Sequence, residues 1–166
     1  MRVLVLVGPP GAGKSTIGRR LARALSMELI DTDAIIEERF SKTCGEIFSE
    51  LGEPKFREIE EEVVAEALQG CGVISLGGGA VLSPKTRDLL ADLEVIWLDV
   101  SAEEGLRRTQ DDSRPVLQAA DPAARYQQIL TDREPLYREV ASFKARTNGL
   151  SPQKIVTEIL SHLENQ

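Results

Sequence analysis

The sequence predicts an α/β fold in which a parallel sheet is covered by helices on both faces. Apolar strands alternate with segments of helical periodicity along the chain, and this alternation is typical of parallel sheets. The first strand, Val3 to Val7, is apolar throughout, as expected of a strand that is buried on both sides. A glycine-rich loop follows it and leads into a helix, which is the context of a phosphate-binding loop. We expect one domain over residues 1–166.

This phosphate loop, Gly8 to Thr16, reads Gly-Pro-Pro-Gly-Ala-Gly-Lys-Ser-Thr. It matches the pattern G-x-x-x-x-G-K-[ST] of nucleoside triphosphate sites, in which backbone N–H groups surround phosphate oxygens. Lys14 is expected to reach the β- and γ-phosphates, and Ser15 to offer its hydroxyl to Mg²⁺. A dinucleotide-binding loop is the alternative, because Asp31 lies about 20 residues further on, but its pattern has no such lysine and serine. The predicted nucleotide contacts are Gly11, Ala12, Gly13, Lys14, Ser15 and Thr16.

Composition argues against several classes of function. The net charge of −7 disfavours nucleic acid as the main partner, since phosphate backbones need a basic face. No apolar run approaches the ~20 residues that span a bilayer, and the first strand leaves no room for a signal peptide, so we expect a cytoplasmic protein. Cys44 and Cys71 lack metal-ligand spacing. His162, the only histidine, is expected to be a solvated residue near the C-terminus, which removes histidine catalysis.

The remaining elements are assigned from periodicity and from capping residues. The predicted strands are Glu28–Ile30, Val73–Leu76, Glu94–Val100 and Phe143–Thr147. The predicted helices are Ile17–Leu25, short pieces between Ala34 and Leu51, Glu53–Leu68, Pro84–Leu90, a helix capped by Ser101–Glu104, Ala123–Val140 and Pro152–Leu163. Pro135 should kink or break its helix near Glu134. The polar stretch from Asp111 to Pro122 is predicted to be a surface loop with the length of a lid.

Two aspartates flank Thr32 just beyond the second strand. On an extended segment Asp31 and Asp33 would point the same way, so both carboxylates would face the phosphates. Asp31 would then serve Mg²⁺, directly or through water, and Asp33 the acceptor hydroxyl. The alternative is an N-cap for a helix that starts at Ala34. Asp99, which also ends a hydrophobic strand, is a rival metal ligand.

A glycine triplet, Gly77–Gly79, follows the third strand and would let a ligand approach the backbone, although a plain tight turn is the alternative. Three arginines stand out by position: Arg57 on the long helix, Arg114 in the polar loop and Arg133 before Glu134-Pro135. For each of them a solvated surface charge is the competing interpretation. The residues by themselves predict a phosphotransferase and leave its acceptor open.

Taken together, these motifs resemble those of shikimate kinases. The resemblance covers about Val3 to Leu160 and is carried by the phosphate loop, Asp-Thr-Asp, Gly52-Glu53-x-x-Phe56-Arg57-x-x-Glu60, the glycine triplet, Arg114-Pro115 and Arg133-x-Pro135-Leu136-Tyr137. It implies a three-layer P-loop kinase fold with a five-stranded parallel sheet of order 2-3-1-4-5, similar to nucleoside monophosphate kinases. It also implies a substrate-binding region at about 32–60 and a lid at about 109–122.

The resemblance further implies ATP-dependent phosphorylation of shikimate to shikimate 3-phosphate, a reaction of aromatic amino-acid biosynthesis, by a cytoplasmic monomer that uses Mg²⁺. The implied catalytic residues are Lys14, Asp33 and Arg114. For shikimate, the resemblance implies that Asp33 holds the ring hydroxyls and that Arg57 and Arg133 bind the carboxylate, with Glu60 orienting Arg57. The other implied shikimate-binding residues are Gly77, Gly78 and Gly79. Those implied for ATP beyond the phosphate loop are Arg108, Arg114 and Pro152, and those for the metal are Ser15 and Asp31.

The sequence departs from the family near the adenine site, where Asn148 to Ser151 lack the basic residue that family members often carry. Two other functions stay open at this point. One is a different small-molecule kinase on the same scaffold, such as a gluconate kinase. The other is a non-catalytic nucleotide-binding module.

Overall fold

A five-stranded parallel sheet forms the centre of the structure, a computed structural model that describes residues 2–109 and 120–166. Its strands are β1 (Val3–Val7), β2 (Leu29–Asp31), β3 (Gly72–Ser75), β4 (Glu94–Asp99) and β5 (Phe143–Arg146). They lie in the order β2-β3-β1-β4-β5, and every neighbouring pair is parallel. The predicted fold class and sheet order are therefore confirmed.

Helices cover both faces of this sheet. They are α1 (Lys14–Leu25), α2 (Thr32–Phe40), α3 (Cys44–Leu51), α4 (Glu53–Leu68), α5 (Pro84–Leu90), α6 (Ala102–Arg108), α7 (Pro122–Val140) and α8 (Pro152–Glu164), with a 3₁₀ turn at Ala80–Leu82. No helix in the described ranges is long and apolar enough to cross a membrane.

Alternate residues of β1 supply two separate cores. Leu6 packs with Leu21 of α1 and Ile159 of α8 on one face of the sheet. Val7, the next residue, packs with Val64 of α4 on the other face. Because successive side chains of a strand point to opposite faces, a strand between two helical layers must be apolar at every position, which explains the unbroken run in β1.

α1 begins at Lys14, three residues earlier than the apolar periodicity predicts. Gly13 precedes it in a left-handed conformation, with φ 93°, which favours glycine. The chain therefore enters the helix directly from the glycine loop. As a result Lys14 and Ser15 lie in the first helical turn, where N–H groups have no acceptor within the helix.

Two expectations about the C-terminal third need correction. The predicted break near Glu134 is wrong, because α7 runs from Pro122 to Val140 with Pro135 inside it. Residues on both sides of Pro135 are buried against the rest of the fold, and Arg138 bonds to Glu134 across it. A kink at this proline stays a prediction. His162 is not a solvated tail residue. Its Nε2 lies 2.7 Å from Oε1 of Glu94, and its ring stacks on Phe143 at 4.4 Å.

Candidate active site

A cleft of about 280 Å³ opens at the carboxyl edge of the sheet. The loops that follow β1, β2 and β3 converge there, because parallel strands end at the same edge. Helices α3, α4, α6 and α7 supply the remaining walls. Most of the predicted site residues line this cleft: Gly11, Gly13, Lys14, Ser15, Thr16, Asp31, Asp33, Arg57, Gly77, Gly78, Gly79, Arg108 and Arg133.

Two described residues among the predicted site residues, Ala12 and Pro152, do not line the cleft. Ala12 is buried in the core beneath the phosphate loop, and its N–H donates to the carbonyl of Pro9. Pro152 begins α8, behind the Ser151 cap. Arg114 lies outside the described residues, as does most of the predicted lid.

The phosphate loop is shaped by its glycines. Gly11 has a left-handed φ of 82°, and a Cβ there would lie only 2.7 Å from the carbonyl of Gly105 and from Cγ2 of Thr109. Glycine is therefore required at this position for both conformation and space. The ammonium of Lys14 donates to the carbonyls of Gly8, at 2.7 Å, and of Pro9, at 3.0 Å. Because the Lys14 side chain turns back over the loop, its charge lies beside the start of α1. The helix dipole also favours an anion there.

Arg108 connects the phosphate loop to the end of β5. Its guanidinium donates to the carbonyl of Gly11 at 3.2 Å and to Oγ1 of Thr147 at 3.3 Å. Glu104, one turn earlier on α6, accepts from Nε of Arg108 at 3.0 Å. Arg108 is thus held beside the loop on the side of residues 147–152, where the resemblance implies the adenine.

The predicted extended geometry of the two aspartates is wrong. α2 begins at Thr32, so the chain turns at once, and Asp31 is its N-cap. Oδ1 of Asp31 accepts from the N–H groups of Asp33, at 2.9 Å, and of Ala34, at 3.3 Å. The capping role that was weighed against a functional one therefore belongs to Asp31. Both carboxylates still line the cleft, Asp33 from inside the first turn of α2.

Opposite the phosphate loop lies an acceptor cluster, which we define as Asp33, Arg57, Glu60, Gly77–Gly79 and Arg133. The glycines make room for its charged groups. A Cβ on Gly77 would lie 2.6 Å from Oδ1 of Asp33 and 2.9 Å from Oε2 of Glu60, and one on Gly79 would lie 2.5 Å from both terminal nitrogens of Arg57. The glycine triplet is therefore a packing surface for side chains, which a plain tight turn would not require.

Arg57 and Glu60 form an ion pair on successive turns of α4, with Nη1 2.8 Å from Oε1. Glu60 is only 3% exposed. Burial raises the pKa of its carboxyl, and the nearby Arg57 guanidinium acts in the opposite direction by favouring the ionised form. Nε of Arg57 is buried without a hydrogen-bond partner among the described residues. Nε is thus a buried donor of this guanidinium that no described residue accepts.

Arg133 is the second cation of the acceptor cluster and is 6% exposed. Among residues 2–109 and 120–166 no carboxylate forms an ion pair with it. Its guanidinium lies near the hydroxyl of Tyr137, which donates to the carbonyl of Gly78 at 2.6 Å. Burial raises the pKa of Tyr137 to about 12, so this hydroxyl stays protonated and acts as a donor. A buried arginine that has no acid partner among the described residues is suited to an anionic ligand.

Sequence reasoning missed several residues of the cleft wall: Pro10, Cys44, Phe48 and Thr109. Sγ of Cys44 donates to the carbonyl of Asp33 at 3.6 Å, and burial raises the pKa of this thiol far above its usual range. Spacing on α3 puts Cys44 and Phe48 on one face, but this pattern does not distinguish a cleft wall from a core. Asp99, the rival metal ligand, lies away from this cleft and pairs with Lys144 at 3.6 Å.

Comparison with known proteins identifies the family. The sequence model described as Shikimate kinase matches residues 10–164. The chain belongs to the shikimate kinase family. A shikimate kinase of Corynebacterium efficiens is 60% identical over 164 residues, which are 98% of this chain and 97% of that protein. Like other shikimate kinases, the chain is therefore a phosphotransferase.

Solved structures agree with this assignment to the shikimate kinases. A shikimate kinase from Acinetobacter baumannii in complex with shikimate superposes with a TM-score of 0.95 at 36% identity, covering 99% of this chain and 94% of that one. A gluconokinase from Sinorhizobium meliloti superposes with a TM-score of 0.65 at 19% identity, covering 99% and 92%. The second likeness shows the fold alone.

Proposed function

We propose that this protein transfers the γ-phosphoryl group of ATP to a ring hydroxyl of shikimate, which gives shikimate 3-phosphate, a step in aromatic amino-acid biosynthesis. One observation carries the proposal: Arg57 and Arg133 line the same cleft as the phosphate loop. The guanidinium of Arg133 is buried and that of Arg57 is half-buried. Two such groups are well suited to a carboxylate, because each binds it through a fork of N–H donors. The shikimate complex of the Acinetobacter relative supports this choice of acceptor.

The acceptor cluster is proposed to bind the carboxylate between Arg57 and Arg133, with Glu60 holding Arg57 in place. The glycine triplet would let the ring lie against backbone, since no Cβ projects there. Asp33 would hold the hydroxyl that attacks phosphorus and would accept its proton. Its position beside Gly77 supports this role.

The phosphate loop is proposed to hold ATP through the backbone N–H groups of Gly11 and Gly13–Thr16 and the ammonium of Lys14, since the N–H of Ala12 already donates to Pro9. Arg108 and Pro152 would border the adenine. Arg114, outside the described residues, is proposed as a further cation on the phosphates. Phosphoryl transfer needs mainly alignment and neutralisation of charge, which backbone donors and cations of this kind supply.

The residues near the phosphate loop also fit a magnesium ion. Ser15 and Asp31 both line the cleft and offer oxygen ligands, which Mg²⁺ prefers. Oδ1 of Asp31 caps α2, which leaves Oδ2 for a contact through water. No group of three metal-binding side chains occurs in the described part of the chain, and Mg²⁺ usually takes its other ligands from phosphates and water. When bound, the ion would neutralise charge on the β- and γ-phosphates.

An assay of ADP release tests the proposal, with shikimate, quinate and gluconate as separate acceptors. We expect turnover with shikimate that needs a divalent cation and is abolished by a chelator. Gluconate is included because the sequence left a gluconate kinase open as an alternative. Turnover of gluconate with shikimate inert would overturn the proposal. A cytoplasmic location and a monomeric state are proposed as well, and light scattering after gel filtration tests the latter.

A further inference from the structure

Helix α7 presents three side chains of the site on one face. Tyr126, Arg133 and Tyr137 follow one another at about two turns and then one turn of the helix, so they point the same way. All three are buried. Arg133 belongs to the acceptor cluster, whereas the two tyrosines have no part in the proposed chemistry. Their hydroxyls nevertheless end at the two loops that hold the substrates.

Tyr126 reaches the phosphate loop. Its hydroxyl donates to the carbonyl of Pro10 at 2.6 Å, and the ring is fully buried. The space for this hydroxyl is made by Gly105 on α6, where a Cβ would overlap it. Pro10 directly precedes Gly11, whose left-handed φ turns the loop. The bond therefore fixes the peptide at which the phosphate cradle begins.

Tyr137 reaches the glycine triplet. Its hydroxyl donates to the carbonyl of Gly78 at 2.6 Å and lies near the guanidinium of Arg133. One phenol thus holds the glycine triplet beside a cation of the acceptor cluster. The ring packs on Trp97 of β4, with centroids 5.9 Å apart, which restricts its movement.

The two loops touch each other at the residues that the tyrosines hold. A Cβ on Gly78 would lie 3.1 Å from Cδ of Pro10 and 3.4 Å from Nη1 of Arg133. We propose that Tyr126 and Tyr137 are positioning residues that set the two substrate loops against one rigid helix, Tyr126 for the nucleotide and Tyr137 for the acceptor. This inference rests on the proposed function.

Removal of each hydroxyl tests the inference. Tyr126→Phe should raise KM for ATP about 10-fold and leave KM for shikimate within about 2-fold. Loss of the hydrogen bond releases the peptide of Pro10, which weakens only the binding of the nucleotide. Tyr137→Phe should do the reverse. Calorimetry with an ATP analogue alone and with shikimate alone should give the same pattern in Kd, which removes any dependence on turnover.

Trp97→Phe is the matched control. It disturbs packing beside Tyr137 but removes no hydrogen bond, because Nε1 of Trp97 has no partner in the described structure. We expect a lower Tm with both KM values within about 2-fold of the parent. If Tyr126→Phe does not fold, Gly105→Ala displaces the same hydroxyl from the other side and should raise KM for ATP.

The outcomes separate the inference from the proposed function. Equal changes in both KM values, or a loss of Tm with both unchanged, would show that the tyrosines only stabilise the fold. A parent protein that binds and phosphorylates no shikimate would instead overturn the proposed function. Selective loss of nucleotide affinity in Tyr126→Phe would support the phosphate-loop half of the inference even then.

Discussion

The two ends of the cleft are built in different ways. The phosphate loop is one contiguous stretch, Gly8–Thr16, and acts through glycine conformations and the start of α1. The acceptor cluster gathers side chains from α2, α4 and α7 around the glycine triplet. A site made of backbone can be encoded locally, because its geometry follows from a short run of residues. A site made of side chains exists only after distant helices have packed.

The two ends also differ in burial. Ser15 and Thr16 of the phosphate loop are exposed, whereas Glu60 and Arg133 of the acceptor cluster are almost fully buried. Charges that are removed from water interact strongly and are costly when unpaired. The acceptor end should therefore be the more selective of the two, and the following experiments test that contrast.

The largest effect is expected from a change in the acceptor. The methyl ester of shikimate should have a kcat/KM about 10⁴-fold below that of shikimate, because Arg57 and Arg133 would be left without an anion. Arg57→Lys keeps the charge but loses the paired N–H donors of the guanidinium. It should therefore lower kcat/KM for shikimate and reduce the ratio of kcat/KM between shikimate and its methyl ester. Near-normal turnover of the ester by the unsubstituted protein would show that these arginines do not bind the carboxylate of the acceptor.

The next largest effect should separate the two ends by their roles. Asp33→Asn should lower kcat about 10³-fold, because the hydroxyl loses its proton acceptor, while Kd for ATP stays within about 2-fold. Lys14→Ala should weaken the binding of ATP and leave the binding of shikimate unchanged. Calorimetry with each ligand alone measures both. If the Asp33→Asn protein no longer bound ATP but still bound shikimate, the assignment of Asp33 to the acceptor end would be wrong.

A pair of glycine substitutions tests the packing of the acceptor end. Gly79→Ala would put a Cβ 2.5 Å from the terminal nitrogens of Arg57, so KM for shikimate should rise about 10-fold. Gly70→Ala is the control, since its nearest atom would be 3.5 Å away. Neither glycine has a positive φ, so backbone strain does not enter the comparison. An unchanged KM in Gly79→Ala would mean that Arg57 moves aside without consequence.

The smallest effect concerns the two cysteines. Burial and then the carboxylates of Asp33 and Glu37 raise the pKa of the Cys44 thiol, whereas Cys71 is exposed. At pH 8 a thiol reagent should label Cys44 at least about 5-fold more slowly than Cys71. Cys71→Ser allows Cys44 to be followed alone. Shikimate should slow its labelling further, and protection by an ATP analogue alone would place Cys44 at the wrong end of the cleft.

Much of the fold could be predicted because its signals are local. β1 and α4 have the predicted bounds, since an apolar run and a long amphipathic pattern each specify their own element. The prediction for the aspartates is wrong because Asp31 caps α2, which therefore begins at Thr32 and not at Ala34; the spacing alone did not reveal this. His162 was misjudged because its partners, Glu94 and Phe143, are contributed by strands far away in the chain.

The acceptor end could not be assembled from residue patterns alone. Nothing in the spacing of Arg57 and Arg133 indicates that α4 and α7 bring them to one cleft, and only the family resemblance joined them. The buried state of Glu60 and the bond from Tyr126 to Pro10 also depend on tertiary packing. The role of Arg114 stays a prediction, because that residue lies outside the described ranges.

The central place of β1 has a consequence for the order of folding. β1 is synthesised first, but its partners are β3 and β4, so its ladder must wait for residues 72–75 and 94–97. Closing chain loops of about 70 residues or more precedes that pairing, and such distant contacts form slowly. The phosphate loop leaves β1 and takes its final shape only when the strand is held. A motif of nine residues therefore becomes a working site late, and nucleotide binding should report that the middle of the sheet has assembled.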